Sequence, residues 1–220
     1  MSTEDPSAPG AAWMAAARPA ANPLCDAFFR VAESVYVGPE NGMTPAQWEA
    51  ERVALPQPDL PLRIPGWAAT ADLAGHEEAL ADHFERLIRT ARAHGRVAAL
   101  AQPFPYFSVR PAILDGAEAL ASWPWSDTLP EALGALEAMA GASRAAPSSV
   151  ILDDQDQGWR LCLVAGPEGV LMAEWDAEGP PADGWRLEAA TLAEQAAAAR
   201  DRLRAVHARL VRLLGRDLWA

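Results

Sequence analysis

The chain has 220 residues, and its 18 basic residues, all arginine, face 30 Asp and Glu for a net charge of −12. That acid excess argues against a nucleic-acid binder, whose footprint is a basic patch on a basic domain, and the lack of lysine removes P-loop, Schiff-base and lysine-base chemistry. Cys25 and Cys162 are too isolated for a disulfide framework or a CxxC pair, and no apolar run nears the ~20 residues of a membrane span, so the expectation is a cytoplasmic protein.

Residues 1–22, rich in Ala, Pro, Ser and Gly, read as a flexible tail with a helical turn near Trp13. Residues 23–37 place Leu24, Phe28, Val31 and Val35 at helical spacing and predict a helix. Thr44-Pro45-Ala46-Gln47 is a helix start: Thr as N-cap, Pro at the first helical position, Gln reaching back from the third. Four prolines within residues 55–67 then enforce an extended connection. A helix follows over residues 72–94, with Leu73, Leu80, Phe84, Leu87 and Ile88 as its buried stripe and Gly95 as its stop.

Residues 97–101 and 106–110 predict two short strands, and residues 116–122 and 129–139 two short helices. Over residues 149–176 three apolar runs are broken by Asp-Gln-Asp-Gln-Gly and Gly-Pro-Glu-Gly, the pattern of an antiparallel meander. A hairpin loop at 166–169 would set Ala165 opposite Val170, Leu163 opposite Met172, Leu161 opposite Glu174, and Arg160 against Trp175 in a cation–π contact. The middle strand is apolar on both faces, so the sheet should be covered on both sides.

The last element, residues 191–216, carries Leu192, Ala196, Ala199, Leu203, Val206, Leu210 and Leu213 in alternating steps of four and three, a heptad seam. Thr191 with Glu194 is expected to cap it. Residues 199–216 hold six Arg and one Asp, so a basic helix is set on an acidic body. No repeat or composition shift divides the chain. The expected fold is a single α+β domain over residues 23–220: an antiparallel meander of three or more strands, packed with several helices and a long C-terminal helix.

The densest polar cluster is Asp153, Asp154 and Asp156, with Glu174, Asp176 and Glu178 expected at the same end of the sheet. Such carboxylates can hold a divalent cation, steer a basic partner, or simply serve turn chemistry. Ala165, twelfth from Asp154, rules out an EF-hand loop. His76 and His83 share a helix face, but zinc would need a third ligand, and neither HExxH nor a Cys pair is present. Ser143 lacks the GxSxG elbow, and neither GxGxxG nor GxxxxGK[ST] occurs. No catalytic residue, metal site or cofactor is therefore assigned. Trp123 and Trp125, in the loop sequence SWPWSD, are candidate exposed anchors.

The segment DDQDQGWRLCLVAGPEGVLMAEWD, with its Asp-Gln-Gly-Trp turn and closing Glu-Trp-Asp, resembles the sheet of small acidic bacterial proteins that act as immunity partners of secreted toxins. The resemblance implies a cytoplasmic inhibitor that binds and blocks one cognate toxin. The expected partner is a basic protein met through Asp153, Asp154, Asp156, Glu174, Asp176, Trp123 and Trp125, with no nucleic acid or membrane involved and the chain a monomer or weak dimer. Two other readings stay open: a metal-assisted hydrolase using the same carboxylates with His76 or His83, and an assembly protein acting through the heptad seam.

Overall fold

The computed structural model describes residues 11–39, 42–124, 128–176, 178–179 and 181–220. In chain order the elements are α1 Ala12–Ala16, β1 Arg18–Pro19, β2 Pro23–Arg30, β3 Ser34–Tyr36, α2 Pro45–Ala50, β4 Arg52–Ala54, β5 Trp67–Ala69, α3 Glu77–Ala93, β6 Val109–Asp115, β7 Glu118–Ala121, α4 Leu129–Ala140, β8 Val150–Asp156, β9 Trp159–Gly166, β10 Gly169–Asp176, β11 Trp185–Leu187 and α5 Ala189–Leu214. This is an α+β chain, with a meander and a long C-terminal helix as expected. Its sheets are ordered β1-β11-β10-β9-β8, β5-β2-β6-β7 and β3-β4.

Two compact units can be distinguished, Met1–Ala27 with Arg110–Arg202, and Phe28–Val109 with Leu203–Ala220. The boundaries fall within β2 and α5 and at the start of β6, so neither unit is one uninterrupted stretch of chain. Charge divides unequally between them. The first unit holds seven Arg against nineteen Asp and Glu, and the second holds eleven of each, so the whole net charge of −12 lies in the first.

In the first unit the meander has the expected register. Ala165 faces Val170, Leu163 faces Met172 and Leu161 faces Glu174. The β8–β9 turn needs two residues at positive φ, and Gln157 (φ 49°) with Gly158 (φ 85°) supplies them, a right-handed-twist-compatible primed turn. Along β9, Leu161, Leu163 and Ala165 on one face and Cys162 and Val164 on the other are all buried. Trp13 packs with Cys162, Val164, Ala173 and Trp175 on one of these faces.

Residues 11–22 are thus not part of a loose tail. Trp13 is 2% exposed, β1 pairs in parallel with β11, and the amides of Ala21 and Asn22 donate to the Asp115 carboxylate. The close approach depends on Gly184, where a Cβ would lie 2.7 Å from the Trp13 ring.

Other elements differ from expectation for identifiable reasons. Residues 23–30 form β2 rather than a helix. The run Cys25–Phe29 is buried at every position, Asp26 included, as in a strand covered on both faces, while the spacing of Leu24, Phe28 and Val31 mimics a helix stripe. Residues 97–100 form a 3₁₀ turn instead of a strand, and residues 116–122 are hairpin rather than helix. There the Gly116-Ala117 turn (Gly116 φ 62°) outweighs the helical propensity of the alanines. α5 starts at Ala189, two residues early, because the Glu188 carboxylate rather than Thr191 takes up the free helix amides: it accepts from the Ala190 and Thr191 N–H at 3.1 and 2.6 Å. The caps at Thr44 and Thr128 are both reciprocal boxes, the first as read from the sequence.

In the second unit the core is aromatic. Trp219 meets Phe29, Phe84, Phe107 and His207 edge-on, with centroids 5.4–6.3 Å apart. The seam positions Leu192, Ala196, Ala199, Leu203, Val206 and Leu210 are all buried within the chain. The arginines of α5 are in part accounted for too: Arg200 pairs with Glu137 and Arg202 with the buried Asp26 in the first unit, and Arg209 with Glu78 in the second. The seventh seam position, Leu213, is half-buried.

Candidate functional site

Strand alternation divides the acidic cluster before any ligand is considered. Successive residues of β8 point to opposite faces, so Asp153 lies on one side of the sheet and Asp154 and Asp156 on the other. Asp153 receives both Nε and Nη2 of Arg160, at 2.7 and 2.6 Å, and the same guanidinium lies 5.7 Å from the Trp175 ring, the cross-strand contact anticipated from the register. This carboxylate is neutralised in place.

On the opposite face Trp123 is the organising residue, and it is not the exposed anchor expected from its loop. It is 0% exposed, with its backbone at φ 44°. Its N–H donates to Glu174 at 2.8 Å, its indole Nε1–H donates to Asp154 at 3.2 Å, and its carbonyl accepts from Arg110 at 2.9 Å. Glu174 also accepts from the Ser122 amide at 3.0 Å and the Ser122 hydroxyl at 2.9 Å. Glu174 and Asp154 therefore act as a latch that closes the segment after β7 over the sheet. Burial raises the pKa of Asp154; the Trp123 bond works against it, and the charges of Asp156 and Glu131 add to it. Trp125, the other loop tryptophan, lies outside the described residues.

Two exposed acids of the expected set have no ion-pair partner among the described residues: Asp156 and Asp176. Each also serves a local turn, Asp156 accepting from the Gln157 amide and Asp176 from the Glu178 amide. Both are cross-strand partners of one residue, Trp159, at the start of β9. Trp159 is 41% exposed. With strands about 4.8 Å apart, an exposed indole is flanked on each side by a carboxylate on the same face. Turn residues and alternation mark both carboxylates, but nothing local to the Asp-Gln-Gly-Trp turn distinguishes Trp159. The β8–β9 register together with the β9–β10 one sets it between the two carboxylates.

The two histidines of the hydrolase reading stand in different settings. His76 stands at the start of α3, whereas His83 is 1% exposed in the second unit's core, where burial lowers its pKa. Among the described residues no three His, Cys, Asp or Glu side chains gather in a metal-holding group. Both cysteines are buried, and desolvation pushes the Cys25 thiol up to about 12, away from nucleophile chemistry. Among the described residues no helix is long and apolar enough to cross a membrane. No protein-family model, curated protein or solved structure matches the chain.

Proposed function

We propose that this protein is a binding module that captures a basic protein partner on the end of its five-stranded sheet, as an inhibitor of the immunity type would. The observation that carries the reading is Trp159, exposed between Asp156 and Asp176. An arginine or lysine of a partner can lie on the indole face and reach either carboxylate, which combines cation–π attraction with charge pairing at one point. Trp159 supplies a rigid aromatic anchor of the kind that dominates interface energetics. The field around it favours a cationic partner, because the unit that carries it holds the entire net charge of −12. The toxin-immunity resemblance of the Asp-Gln-Gly-Trp turn supports the same reading, since that turn ends on Trp159.

The test is capture from a lysate of the source cell with the wild-type protein, with Trp159→Ala and with the double reversal Asp156→Arg, Asp176→Arg. The expected result is one stoichiometric basic protein retained by the wild type, released by high salt, and lost with both variants. Retention of that protein by the charge-reversed variant would overturn the proposal. Trp159 is exposed and Asp156 and Asp176 lie at strand ends, so circular dichroism of the variants should match the wild type.

A further inference from the structure

The second unit carries a groove of a different character. Glu85, Ile88, Arg89 and Arg92 on α3, with Leu214 and Arg216 at the end of α5, line a cavity of about 420 Å³. The four α3 residues recur at the spacing of a single helix stripe. Gly215 (φ 67°) takes the left-handed conformation that stops α5, with Leu214 before it and Arg216 after it both on the groove wall. The charge along α3 is segregated: Glu77, Glu78, Asp82 and Glu85 precede Arg86, Arg89 and Arg92.

The ordinary explanation for arginines at helix C-termini is the dipole, which offers about half a negative charge at each helix's C-terminus. Two helix ends and Glu85 together offset about two positive charges, and the groove presents three guanidinium groups. Arg89, Arg92 and Arg216 form no ion pair among the described residues, in contrast to Arg200, Arg202 and Arg209. Unpaired guanidinium forks around an apolar floor of Ile88 and Leu214 match a phosphoryl group carried on a small organic body. The volume falls in the range of small-molecule sites.

We infer that this groove is a binding site for a small phosphorylated ligand, held by Arg89, Arg92 and Arg216. The inference is independent of the sheet-end proposal. Isothermal titration at constant ionic strength, with inorganic pyrophosphate and with adenosine monophosphate as probes and sulfate as control, tests it on the wild type, Arg89→Gln and Arg216→Gln. The expected result is saturable binding of at least one phosphate probe, weakened about tenfold or more by either substitution. Tighter binding of the monophosphate would assign the apolar floor to the organic body, and tighter binding of pyrophosphate would assign the site to the phosphoryl groups alone. Absence of saturable binding for both probes, binding no stronger than that of sulfate, or binding unchanged in both variants would overturn it. If Arg89→Gln does not fold, Arg216→Gln, which lies beyond the helix end, gives the same reading by itself.

Discussion

Replacing Glu174 with alanine probes the latch most directly. The carboxylate accepts from three donors, the Ser122 amide at 3.0 Å, the Ser122 hydroxyl at 2.9 Å and the Trp123 amide at 2.8 Å. A hydrogen bond to a charged group contributes about 1.5–3 kcal/mol net, and the half-buried position of Glu174 argues for the low end or below. The expected loss is therefore about 3–4 kcal/mol, a large share of the 5–15 kcal/mol typical of a folded domain. Glu174→Gln retains one acceptor oxygen and should lose about half as much. Equilibrium urea unfolding measures both, with the m-value unchanged if the native state keeps its compactness. Because these are short-range bonds in a partly buried setting, the loss should persist at high salt. A loss below about 1 kcal/mol for Glu174→Ala would show that water replaces the carboxylate at both amides, and the latch argument would fail.

Two further outcomes follow from the same structure. The pKa of Asp154 is raised mainly by burial, so its contribution to stability is full below the unfolded value of 3.8 and falls as pH rises through the folded value. Asp154→Asn keeps an acceptor for the Trp123 indole and should be more stable than the wild type at pH 7 but not at pH 3. Thermal melts at the two pH values decide it, and an equal gain at both would refute the linkage. In the second unit, Trp219→Ala removes a ring in edge contact with three other aromatic side chains and His207 and should cost about 4 kcal/mol in urea unfolding. Trp219→Phe should cost less than half of that, and equal losses would mean that the site collapses around either change.

What could be read from the chain beforehand depended on how local the cause was. The β9–β10 register, the Arg160–Trp175 contact, the Thr44 cap and the body of α3 follow from turn residues, alternation and capping chemistry within a few positions, and all are found in the structure. The seam of α5 was legible as a pattern, but only packing shows that six of its seven positions are buried within the chain. β2 is not legible locally because Leu24, Phe28 and Val31 fit a helix stripe as well as a strand; its strand identity comes from the neighbours β5 and β6, which are remote in sequence. The candidate site divides in the same way. The sequence placed Asp156 and Asp176 at one end of the sheet, since strand pairing is local there. It could not tell that Trp123 would turn inward, because its partners Glu174 and Asp154 lie 51 and 31 residues away. Nor could it tell that Trp159 would stay exposed, because exposure depends on which distant segments cover each row of the sheet: Leu161 is buried, and Trp159 on the same face is exposed.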